Sequence, residues 1–86
     1  MKAWAVEALM DGDPTRISPE RGAAILADLA QHNFEDAQLI PGPGRLGVTG
    51  LMAGTDESFV KQAATAALES VLPEFGVISV TATATP

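Results

Sequence analysis

The stretch Lys2-Ala3-Trp4-Ala5-Val6-Glu7-Ala8-Leu9-Met10 decides how the rest of the chain is read. Taken with a period of two, Lys2, Trp4, Val6, Ala8 and Met10 fall on one face, and Ala3, Ala5, Glu7 and Leu9 on the other. The first face carries the bulk and the second carries a charge, the pattern of a strand buried on one side. Ala, Glu, Leu and Met also favour helices, so a short helix is the competing reading.

Outward from this stretch the signals are sharper. Asp11-Gly12-Asp13-Pro14 marks a turn. Ser18-Pro19-Glu20 then opens a helix: Ser18 caps, Pro19 suits the first helical position, and Glu20 complements the positive end of the dipole. Ile25, Leu26, Leu29 and Ala30 form its apolar stripe, with Gly22 one turn earlier, and Asn33 tolerates the backbone that ends it. Residues 36–41 are expected to form a short strand. Pro41-Gly42-Pro43-Gly44 follows as a connection, because two prolines interrupt any ladder. Residues 45–53 predict the next strand, with Leu46, Val48 and Met52 on one face and Gly47, Thr49, Leu51 and Ala53 on the other. Thr55 or Asp56 caps a second helix, whose buried stripe is Val60, Ala63, Ala64, Ala67, Leu68 and Val71 and which stops at Leu72-Pro73. Residues 77–85 are rich in β-branched side chains and predict a last strand.

The order β-α-β-β-α-β is the split βαβ arrangement of a ferredoxin-like α+β sandwich: a four-stranded antiparallel sheet with both helices on one face. Right-handed crossovers put the first and third strands in the centre. The 86 residues make one domain, residues 1–86, near the small end of what folds alone. Without cysteine there is no disulfide, no thiolate metal site and no cysteine nucleophile. The formal net charge is -6, and the five basic residues are scattered. That balance argues against nucleic acid and against anionic membrane, both of which need clustered cations. No apolar run approaches the length of a membrane span, and the N-terminus does not read as a signal peptide. The expected location is cytoplasmic, or outside only in association with another protein.

Trp4-Ala-Val-Glu-Ala, Asp11-Gly12-Asp13-Pro14, Ser18-Pro-Glu, Pro43-Gly44-Arg45-Leu46-Gly47-Val48-Thr49 and Leu72-Pro73 resemble the corresponding stretches of small uncharacterised actinobacterial proteins. The fifteen alanines are consistent with a GC-rich genome. The resemblance brings no assigned activity and no functional residue.

Residue types that carry chemistry are few. His32, the single histidine, falls in the last turn of the first helix, where an imidazole suits the negative end of the dipole. Asp11-Gly12-Asp13 starts like a calcium loop, but the twelfth position from Asp11 is Gly22 rather than glutamate. Plain turns are the expected reading, with Asp11, Asp13 and Asp56 as the candidate divalent-cation set if both strand-to-helix loops leave the same end of the sheet. The Pro41–Gly47 stretch lacks the Lys-Ser/Thr of a phosphate loop and does not open a helix. No catalytic residue, metal ligand or cofactor is expected.

The face opposite the helices is the informative one. The central strands place Ala3, Ala5, Glu7, Leu9, Gly47, Thr49, Leu51 and Ala53 there, with Ile40, Val77, Ser79 and Thr81 at the flanks. None is aromatic, which excludes base stacking of the kind RNA-binding sheets use. A surface this small and apolar suits a flat partner at close range. The candidate interaction face is Ala5, Glu7, Leu9, Thr49, Leu51 and Ala53. The leading expectation is a non-catalytic interaction or oligomerisation module, a homodimer or a domain with a protein partner. The alternative is a small-molecule-sensing domain resembling ACT modules, with residues 11–16 as the effector loop. An enzyme of the dimeric α/β-barrel kind comes third, since the chain has no tyrosine and its histidine lies outside the sheet.

Overall fold

A computed structural model describes residues 2–85. Strand β1 (Lys2–Asp11) leads through a single 3-10 turn (Pro14–Arg16) into helix α1 (Pro19–Gln31). Strands β2 (Glu35–Gly42) and β3 (Arg45–Gly54) follow, then helix α2 (Glu57–Val71) and strand β4 (Gly76–Ala84). The sheet has four antiparallel strands in the order β2-β3-β1-β4, so β1 and β3 are central as expected. This is the ferredoxin-like α+β sandwich.

The opening stretch is a strand, not a helix, and its alternation holds from Trp4 to Met10, while Lys2 at its start is exposed. Trp4, Val6, Ala8 and Met10 are buried under the helices, while Glu7 and Leu9 face away. Trp4 keeps 9% of its surface, and its indole N–H donates to the Gly54 carbonyl at 3.1 Å, so its polar atom is satisfied inside. Ser18 accepts from the Arg21 amide and starts α1. At α2 the cap is Asp56, which accepts from the Phe59 amide at 2.7 Å.

The structure corrects or adds to the sequence reading at five points. Pro41 and Gly42 belong to the β2 ladder, opposite Leu46 and Arg45, because β2 is an edge strand and can spare an amide. The connection is Pro43-Gly44 alone, with Gly44 at φ 65°. In α1, Ile25 and Leu29 are buried, but Leu26 is half-buried and Ala30 exposed. Phe34 is wholly buried although it lies between α1 and β2, outside any periodic segment. A Cβ on Gly50 would lie 2.2 Å from its ring, so that glycine makes the room Phe34 occupies. Val77 packs against the core instead of flanking the open face. In the β1–β4 register Leu9 opposes Ser79 while Met10 opposes Val77, so Ile78 is an extra residue that turns Val77 to the helix side.

The fifth correction concerns the loops. β1 and β3 are antiparallel, with Asp11 opposite Arg45 and Lys2 opposite Gly54. The loop after β1 and the loop after β3 therefore leave opposite ends of the sheet. A strand's length, roughly 30 Å, separates Asp11 and Asp13 from Asp56.

Candidate functional site

The open side of the sheet is built by three rows of side chains, read across from β2 to β4. One row is Ile40, Gly47, Leu9 and Ser79; the next is Gln38, Thr49, Glu7 and Thr81; the third is Glu35, Leu51, Ala5 and Thr83. The two-residue period of each strand and the matched register bring these residues together, and Ala53 and Ala3 extend the surface at one end. Ala5, Thr49 and Leu51 are half-buried by their neighbours. Glu7, Leu9 and Ala53 are exposed. Ile40 leaves 51% of its surface to solvent and Leu9 36%, and between them, over Gly47, lies a shallow open depression bordered by Glu7, Thr49, Ser79 and Thr81.

Glu7 stands at the middle of the face between Thr49 and Thr81. The Thr81 hydroxyl donates to the Glu7 backbone carbonyl at 3.3 Å. Among the described residues no cation pairs with the Glu7 carboxylate. The charges of the face otherwise sit at its ends: Glu35 at one, and Asp11 with Arg45, at 3.7 Å, at the other.

The acidic loops serve the backbone. Asp13 accepts from the Thr15 hydroxyl at 2.6 Å and from the Thr15 amide at 3.0 Å, and these bonds hold its carboxyl below the usual carboxylate range. Asp56 caps α2 and Asp11 faces Arg45. The three do not converge, and no group of three metal-ligating side chains occurs among the described residues. His32 is the exposed C-cap residue of α1, as its place in the sequence implied.

The loop that an effector would use borders a cleft lined by Asp13, Arg16, Ile17, Arg21, Glu74 and Phe75. Of its charges, Arg21 pairs with Glu74, while Arg16 forms no ion pair among the described residues. Asp13 and Arg16 belong to the loop, residues 11–16, that the sequence reading assigns to an effector; Ile17, Arg21, Glu74 and Phe75 were not singled out. The Arg21–Glu74 pair joins residues far apart in the chain and has no local signature. A second groove runs between α2 and the outer edge of β4, past Lys61, Thr65, Glu69 and Ile78. Ile78 is 47% exposed there.

No helix among the described residues is long and apolar enough to cross a membrane. No family profile matches the chain, and no curated protein sequence matches it. Among solved structures, the C-terminal domain of the MgtC protein from Mycobacterium tuberculosis, determined in solution, is similar with a TM-score of 0.55. That match has 17% identity and covers 99% of this chain and 88% of that one. At this identity the likeness shows the shared fold alone.

Proposed function

We propose that the domain is a non-catalytic interaction and oligomerisation module whose open sheet face, centred on Ala5, Thr49 and Leu51, receives a second copy of the chain. The observation that supports this is the composition of the three rows. Apart from Glu7, Gln38 and Glu35 they hold only short hydroxyl, glycine, alanine and aliphatic side chains, with Ile40 and Leu9 in one outer row and Leu51 and Ala5 in the other. Sheets stack about 10 Å apart when such side chains interdigitate. Contact of this kind buries apolar area that a chain this small otherwise leaves in water. The carboxylate of Glu7 opposes the contact, and the hydroxyls of Thr49 and Ser79 are the donors the face offers to it.

The effector-binding reading rests on the cleft between Asp13 and Phe75. It ranks second because Arg21, one of the two arginines there, is already paired with Glu74 of the chain. Leu51→Lys tests the first reading. A lysine buried without a partner at a stacked face costs about 3–5 kcal/mol, so the variant should stay folded and lose self-association by light scattering. A wild-type chain that is monomeric at high micromolar concentration, with Leu51→Lys melting like it, overturns the reading.

A further inference from the structure

β3 outruns the strand that pairs with its outer side. Its pairing with β2 ends at Glu35, opposite Leu51, while β3 itself runs on to Gly54. The direction of the backbone groups beyond that point follows from β1. The Ala3 carbonyl accepts from the Thr85 amide at 3.0 Å, so Ala3 turns its N–H and C=O toward the β4 side. These directions alternate along a strand, and opposed residues of an antiparallel pair either bond to each other or both turn away. Trp4 and Met52 therefore bond across β1 and β3. Ala53 turns its N–H and C=O to the outer side, where β2 has ended.

A pocket of about 430 Å³ lies at this edge. Leu51 and Ala53 line it from β3, Asn33 and Glu35 from the entry to β2, and Phe59 from the first turn of α2. Phe59 is 54% exposed, more than any other large apolar residue described. Its ring lies against Gly54, and its amide donates to the Asp56 cap at 2.7 Å, so the backbone that carries the ring is fixed. Glu35 is exposed and forms no ion pair among the described residues.

We infer that this pocket binds the amino-terminal residue of a peptide whose first side chain is apolar. Three groups of such a residue meet three of the pocket. Its ammonium is complementary to the Glu35 carboxylate, in a pocket with no cation in its lining. Its peptide group supplies the acceptor and donor that the N–H and C=O of Ala53 lack on the outer side, as a further strand would. Its side chain covers Phe59 and Leu51, apolar area that the fold leaves partly in water. A free amino acid adds a carboxylate that Glu35 repels, and a blocked peptide has no charge to offer. This site goes beyond the stacked-face reading and does not need it, although Glu35 and Leu51 border both.

Phenylalaninamide is the probe, titrated in its protonated form into a dilute solution of the full chain and followed by amide NMR. The amides of Asn33, Ala53 and Phe59 should shift and saturate with a dissociation constant on the order of 1 mM, as suits so small a ligand. The amides of Glu7 and Thr81, on the open face, should not move. Glu35→Gln should weaken binding about fivefold, and Phe59→Ala should do so by about as much. Both side chains are exposed, so both variants should melt like wild type. N-acetylphenylalaninamide, which has no ammonium, should bind wild type about as weakly as phenylalaninamide binds Glu35→Gln, and Glu35→Gln should not distinguish the two probes. The absence of shifts at about tenfold that concentration overturns the inference. So does equal binding of both probes to wild type, so does a preference for the free amine that survives Glu35→Gln, and so does binding that Phe59→Ala leaves intact.

Discussion

The two faces of the sheet are made by alternate residues of the same strands, yet they are filled on opposite plans. Under the helices, large and small alternate: Trp4, Met10, Phe34 and Met52 interlock with Ala8, Gly50 and Ala82, and ten of the largest side chains there are almost wholly buried. On the open side no aromatic or methionine stands in the three rows, and the larger side chains, Ile40, Leu9 and Leu51, are separated by Gly47, Thr49 and Ala5. Its residues are mostly uncharged, with Glu7 alone at the middle. The covered face shows how a chain with fifteen alanines still fills a core, by concentrating its few bulky side chains on one side. The open face shows what that concentration leaves behind, a smooth surface whose apolar area only a second molecule can cover.

Three substitutions break or sharpen this contrast. Trp4→Ala attacks the covered face where the side chain is largest. It removes an aromatic ring and leaves the Gly54 carbonyl without its donor, so a loss of about 3–5 kcal/mol is expected, close to the whole stability of a small domain. Urea unfolding followed by circular dichroism measures it, and a midpoint unchanged from wild type would place the indole outside the core. Gly50→Ala attacks the same face by overfilling. The added methyl meets Phe34, and a loss of about 1–3 kcal/mol is expected. Phe34→Leu in the same background should recover part of the loss, and additive losses would show that the ring does not press on Gly50.

Glu7→Gln probes the open face and should do the least to the fold. Its melting temperature in dilute solution should match wild type within about 0.5 kcal/mol of stability. Self-association through the face should strengthen about tenfold, since a carboxylate no longer has to leave water. Sedimentation equilibrium reads the change, and weaker association would mean that Glu7 meets a cation rather than an apolar surface.

Much of this fold is legible in short stretches of sequence. The two-residue alternation of residues 2–10 assigns the covered and open residues from Trp4 to Met10 correctly, because the pleat is a local property, whereas Lys2, read with the covered set, is exposed at the strand's start. Ser18 and Asp56 announce the helix starts for the same reason, since a cap bonds an amide three residues away. The open face was legible too, from β1 and β3 together. Phe34 was not, because a residue between two elements belongs to neither period, and its site exists only through Gly50. Val77 was misplaced because an extra residue at Ile78 has no signature in composition; it is visible only as a shift against β1.

The acidic loops mark the boundary most plainly. Asp11, Asp13 and Asp56 each sit in a turn that the sequence identifies, and each has a local partner there. Whether they share an end of the sheet depends on the direction in which β1 and β3 run past one another, which is a pairing between residues some forty positions apart. The uncharged run from Ser79 to Thr85 is likewise plain in the sequence, but that it lies at an edge is decided by strand order. By itself the sequence determined the elements, their caps and their faces, all of which depend on forces acting within a few residues. Register, bulges, the meeting of Phe34 with Gly50 and the place of β4 at an edge required the tertiary structure, because each is settled by side chains and backbone groups that meet only after the chain has closed on itself.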